Sequence, residues 1–157
     1  MTFVSSIRLY FSFSDTIRDI YLKVGYYIMS VILAYDGRPG SRRALDFAIN
    51  YSKMSKMSLY IYTLVVSSEV IEHEEEFAKI KTYMKEAEDI AREEDIDIHV
   101  IMEPGSTGEN ILAAASRFDC DIIVVGRSDK TFLDRVVLGS VSQYIVDHAK
   151  CNVVVVH

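Results

Sequence analysis

Two short elements in this chain have the residue types and spacing of an anion site. Gly126 closes the apolar run Ile122-Ile123-Val124-Val125, and Gly139-Ser140 opens an amphipathic stretch further along. A glycine at the end of a buried strand lets a ligand approach the backbone closely. A Gly-Ser pair at a helix start presents unpaired N–H groups and a hydroxyl to an anion. Carried on one connection, they form a phosphate site. Other chemistry finds little support. His73, His99, His148 and His157 are scattered. No Cys/His pairing and no Gly-x-Ser-x-Gly elbow occurs. Lys130-Thr131 lacks the glycine spacing of a P-loop before it. Cys120 and Cys151 are isolated thiols without metal-ligand spacing and read as core filler in a reduced, cytosolic setting. No metal site is expected.

The elements that must hold these residues alternate from Val31 onward. Val31-Ile32-Leu33-Ala34-Tyr35 is a short apolar strand ended by Asp36-Gly37 and Pro39-Gly40. Ser41 reads as the cap of a helix whose Ala44, Leu45, Ala48 and Ile49 share one face. Residues 59–66 form a β-branched and aromatic strand. A long helix over 72–94 carries Phe77, Ile80, Met84, Ala87 and Ile90 or Ala91 as its stripe. Glu74-Glu75-Glu76 sits near that helix's positive end. A third strand covers 96–102 and Pro104-Gly105 breaks it. Ser106-Thr107-Gly108-Glu109 reads as a capping box for a helix burying Ile111, Leu112 and Ala115. Residues 121–125 form a fourth strand. A helix from Ser140 carries Val141, Tyr144, Ile145 and His148 on one side, and 153–156 is the last strand. Five strands separated by helices imply parallel pairing through right-handed crossovers. Runs apolar at every position suit strands buried on both faces. The fold class is α/β, a doubly wound parallel sheet with helices on both faces.

A chain of 157 residues permits one domain with one sizeable core. A net charge of −6 without a Lys/Arg cluster disfavours a nucleic-acid partner. Apolar runs are far shorter than the ~20 residues a membrane span needs. The domain is placed at 29–157. Residues 1–28 stand outside the alternating pattern and are rich in aromatics, among them Tyr10, Phe11, Phe13, Tyr26 and Tyr27. Arg8, Asp15, Arg18, Asp19 and Lys23 interrupt any signal-peptide core there. Two readings stand: a segment ahead of a true start at Met29, or an aromatic arm that docks on the domain or on a partner.

The motif from Gly126 to Ser142 resembles the nucleotide loop of the universal stress protein family, which reads Gly, two residues, Gly, nine residues, Gly, then Ser or Thr. Ile32-Leu33-Ala34-Tyr35-Asp36-Gly37 looks like that family's first strand and its adenine-proximal aspartate. Ser41-Arg42-Arg43-Ala44-Leu45, Gly105 to Leu112, and Gly139 through Val155 resemble further blocks in the same order. The resemblance implies a Rossmann-like sheet of order 3-2-1-4-5. Its switch point lies between strands one and four, so their ends, Asp36 and Gly126, face one crevice. It implies an adenine-nucleotide site of Ala34, Tyr35, Asp36, Leu64, Gly126, Arg127, Asp129, Lys130, Gly139, Ser140, Val141 and Ser142. There Asp36 would accept from the adenine amino group and Leu64 would pack on the base. Gly126 would lie against the ribose, and residues 139–142 would hold the phosphates. On its own Asp36 is also an ordinary turn residue before Gly37.

One position departs from the pattern. Asp129 stands where the family has its middle glycine. Aspartate tolerates a left-handed backbone, but its charge opposes phosphate. A like-charge pair at ~4 Å costs roughly 1 kcal/mol in water and about 4 kcal/mol at a partly buried surface. Arg127 and Lys130 flank it and offset part of this, as would a shared Mg²⁺. The apolar strand Val153-Val154-Val155-Val156 would lie at a sheet edge in the implied order. An exposed apolar edge invites pairing, so an isologous dimer is expected.

The expected function is a cytosolic, dimeric universal stress protein that binds ATP, with or without Mg²⁺, and signals through a protein partner rather than by turnover. One alternative is a dimer of the same fold that has lost the nucleotide because of Asp129. Another is an adenylating enzyme of the wider adenine-binding α/β group. Gly37 to Ser41 is too short for the pyrophosphate loop that this last reading needs.

Overall fold

The computed structural model describes residues 29–65, 74–105, 108–127, 131–132, 135–136 and 139–157. The proposed extension 1–28, the capping-box residues Ser106 and Thr107, and Asp129 and Lys130 lie outside the described residues. In chain order the elements are β1 (Ser30–Ala34), α1 (Pro39–Ser55), β2 (Ser58–Val65), α2 (Glu74–Arg92), β3 (Ile98–Pro104) and α3 (Gly108–Arg117). They continue with β4 (Ile122–Gly126), β5 (Thr131–Phe132), β6 (Arg135–Val136), α4 (Ser140–His148) and β7 (Asn152–Val156). Five strands form one parallel sheet in the order β3-β2-β1-β4-β7. This is the 3-2-1-4-5 order, and its reversal lies between β1 and β4.

After Ser30, β1 and β4 are apolar at every position because both faces are covered. On one face Val31, Leu33, Leu59, Ile61 and Val124 pack under α1 and α2. On the other Ile32, Tyr62, Ile123 and Val125 pack with Ile111, Ala114 and Ile145 of α3 and α4. The α2 stripe is Ile80, Met84, Ala87 and Ala91; Ile90 points outward. Cys120 is buried and Cys151 half-buried, both as free thiols. His148 is exposed and stacks on Tyr144.

Three local expectations need correction. Ser41 does not cap α1. The cap position is Arg38, because Pro39, with its fixed φ and missing N–H, starts the helix earlier. β3 runs two residues later than 96–102. Asp95 takes a positive φ and the Asp97 carbonyl accepts from Leu59 N–H, so the turn from α2 lasts longer than the apolar pattern suggests. The connection after β4, expected as a loop, contains a short antiparallel pair, β5 with β6.

β3 and β7 are the outer strands of the sheet. β3 carries His99, Glu103 and Pro104, groups that discourage edge pairing. β7 is Asn152 followed by four half-buried valines, with no charge or proline to protect it.

Candidate functional site

The carboxyl ends of β1, β2 and β4 and the first turns of α1 and α4 enclose a cavity of about 640 Å³. That is the usual size of a small-molecule site. The structure brings Ala34, Tyr35, Asp36, Leu64, Gly126, Arg127, Gly139, Ser140, Val141 and Ser142 together in its lining. Of the expected nucleotide-binding residues, only Asp129 and Lys130 are unplaced, being outside the described residues.

Asp36 sits where β1 turns into α1. Its Oδ1 accepts from the Ser41 hydroxyl at 2.7 Å and from the Arg38 N–H at 3.1 Å. The second contact is the local turn that aspartate favours. Oδ2 lies 3.6 Å from Arg38 Nε, with both side chains more than half exposed, a spacing beyond a hydrogen bond. Gly37 follows at φ 72, and a Cβ there would lie 2.7 Å from the Tyr83 ring. The turn therefore needs glycine for conformation and for space.

Gly126 has a packing role besides its place in the cavity lining. A Cβ on it would stand 2.3 Å from the carbonyl carbon and oxygen of Gly40 and 2.5 Å from Ser41 N. A Cβ on Gly40 would stand 2.0 Å from the Arg127 carbonyl oxygen. The two glycines thus let the β1–α1 turn rest directly on the end of β4. Gly126 also lines the cavity.

The opposite side of the cavity is the start of α4. Gly139 is the cap, and the first helical bond runs from Gln143 N–H to the Gly139 carbonyl. The amides of Ser140, Val141 and Ser142 therefore have no partner within the helix. The Ser142 hydroxyl donates to the Gly126 carbonyl at 3.3 Å and braces α4 against β4. Neither α1 nor α4 has an acidic residue in its first turn. Both present their positive ends to the same space. Two arginines and one aspartate are the charged residues among the described lining. This local excess of positive charge sits in a chain of net charge −6. Arg127 is held by its N–H on the Val156 carbonyl at 2.9 Å and by its guanidinium on His157 Nδ1 at 2.6 Å.

Several lining residues were not singled out from the sequence. Tyr83 of α2 packs edge-on against Tyr35 and bonds Thr63 Oγ1 at 3.2 Å. Burial pushes the Tyr35 phenol above its usual pKa. Tyr62 is buried, and its hydroxyl donates to Glu103 Oε2 at 2.8 Å while Arg117 pairs with the other carboxylate oxygen. Burial first, then this bond, pushes the Tyr62 phenol up. Tyr83 had a readable signal: it stands three residues after Ile80 and four before Ala87, on the buried face of its helix. Tyr62 had none beyond its strand.

A parallel α/β sheet with paired helix starts over a pocket at its topological switch point defines a domain of the doubly wound class, and such folds bind ligands at that place. The universal stress protein family model matches residues 28–157. The chain belongs to that family. It is 29% identical over 164 residues to a universal stress protein of Methanocaldococcus jannaschii, spanning 87% of this chain and 94% of that one. The structure of a universal stress protein from Archaeoglobus fulgidus superposes with a TM-score of 0.73 at 18% identity, covering 83% of this chain and all of the other. A universal stress protein crystallised in complex with cAMP superposes at 0.68 with 26% identity, covering 83% of this chain and 97% of that one. Among the described residues no helix is long and apolar enough to cross a membrane.

Proposed function

We propose that this protein binds ATP in the cavity at the β1–β4 switch point and acts by binding rather than by turnover. The observation that carries the reading is the convergence of two helix starts, two arginines, a carboxylate acceptor and apolar walls on one pocket. Phosphates suit the α4 amides, and a base suits Leu64, Ala34 and Ile111. The cAMP held by a relative of the same fold supports an adenine ligand. Mg²⁺ would arrive with the phosphates. Among the described residues no three His, Cys, Asp or Glu side chains gather to hold a metal by themselves.

The unprotected valine edge of β7 supports a dimer formed by two such strands across a two-fold axis. Free Cys120 and Cys151 suit a reducing cytosol. Nucleotide occupancy would then be read by a protein partner. Mass spectrometry of small molecules released from the purified protein tests the reading. Stoichiometric ATP or ADP supports it. No released nucleotide, together with no ATP binding by the stripped protein, sinks it.

A further inference from the structure

The geometry points to Ser41 as the positioning residue that makes Asp36 selective for a 6-aminopurine over a 6-oxopurine. This rests on the nucleotide reading above and adds the source of base discrimination. Ser41 is only 6% exposed, so its side chain is held in place by packing. Its oxygen accepts from Asp36 N–H at 3.3 Å, and its proton is directed to Asp36 Oδ1 at 2.7 Å or to the Arg38 carbonyl at 3.0 Å. Together with Arg38 N–H, it occupies Oδ1 and fixes the plane of the carboxylate. Asp36 lines the cavity, and the oxygen these bonds leave over is Oδ2, 3.6 Å from the exposed Arg38 Nε.

An ionised carboxylate can only accept. A 6-amino group meets Oδ2 as a donor. A 6-oxo group brings a second acceptor to the same place and is repelled. Discrimination of this kind depends on a fixed acceptor, because a freely turning carboxylate swings away from the mismatched carbonyl at small cost. Ser41 supplies that fixity. It is buried under the turn and acts through Asp36.

The test is calorimetric titration of the full chain and its Ser41→Ala variant with adenosine monophosphate and inosine monophosphate, with melting curves of both proteins. The parent should prefer the adenine nucleotide by about tenfold or more, the scale of one hydrogen bond to a charged acceptor. Ser41→Ala should bring the preference to about threefold or less, mainly by admitting the inosine nucleotide. Ser41→Cys, which keeps the shape but is a weak donor, should fall between and serves if the alanine variant does not fold. Equal weakening of both nucleotides would mean a merely structural role and overturn the inference. So would a preference that Asp36→Asn abolishes but Ser41→Ala keeps, or a parent that binds both nucleotides alike; either leaves the nucleotide reading standing. A parent that binds neither overturns both.

Discussion

Replacing Gly126 by alanine separates two roles that one residue could serve. The added methyl carbon would lie 2.3 Å from backbone atoms of Gly40 and 2.5 Å from Ser41 N. These are main-chain atoms at the start of α1, so no side-chain rotation relieves the clash. Overpacking of this kind costs about 1–3 kcal/mol, and the backbone contact puts this case near 2–3 kcal/mol. Reduced freedom of the unfolded chain returns about 0.4–1 kcal/mol. The net loss is about 1–2.5 kcal/mol, or about 3–12 °C in melting temperature for a domain near this size. Gly40→Ala strikes the same contact from the other side, 2.0 Å from the Arg127 carbonyl. Once the turn has been displaced, the second substitution should cost less, so the double variant should be more stable than additivity predicts by at least ~0.5 kcal/mol. Urea or thermal unfolding of the four proteins measures this directly. A Gly126→Ala protein that melts within about 2 °C of the parent but loses nucleotide would refute the packing argument and return this glycine to the ligand.

Val154→Lys should convert a dimer to a monomer in sedimentation, since a charge cannot be buried unpaired in the seam; an unchanged dimer would place the interface elsewhere. Burial pushes the Cys120 thiol from an ordinary 9.0 up to about 12. The folded state therefore favours the protonated thiol, and its contribution is complete below pH 9 and lost as pH rises towards 12. The loss approaches 1.4 kcal/mol per pH unit in that window. Cys120→Ala should flatten the alkaline decline, and identical slopes would count against the buried thiol. Asp129→Gly should tighten ATP roughly fivefold or more and AMP less; equal affinities in the two proteins would remove repulsion from the account.

The sheet was legible because its inner strands are buried on both faces. Ile122 to Val125 is apolar throughout, and no helix pattern competes with so short a run. Strand order was not in that pattern; it came from the resemblance, and the register of Ala34 with Val125 then placed Asp36 and Gly126 together. The site was legible where a motif carried it and not where packing did. Ser41 stands before an apolar face as a cap would, but Pro39 moves the helix start and frees its hydroxyl for Asp36. Pro39-Gly40 reads as punctuation, whereas Gly40 exists to let the turn touch β4. Tyr62 and Tyr83 reach the cavity from β2 and α2, and only the crossover geometry brings those elements to its wall.

The most direct measurement is to follow backbone amide resonances of the isotope-labelled protein as ATP is added. ATP in this cavity should shift the amides of Asp36, Gly126, Gly139, Ser140, Val141 and Ser142 together and to saturation. ATP that leaves the α4 start unmoved, or that shifts only amides distant from the β1–β4 crevice, would contradict the account.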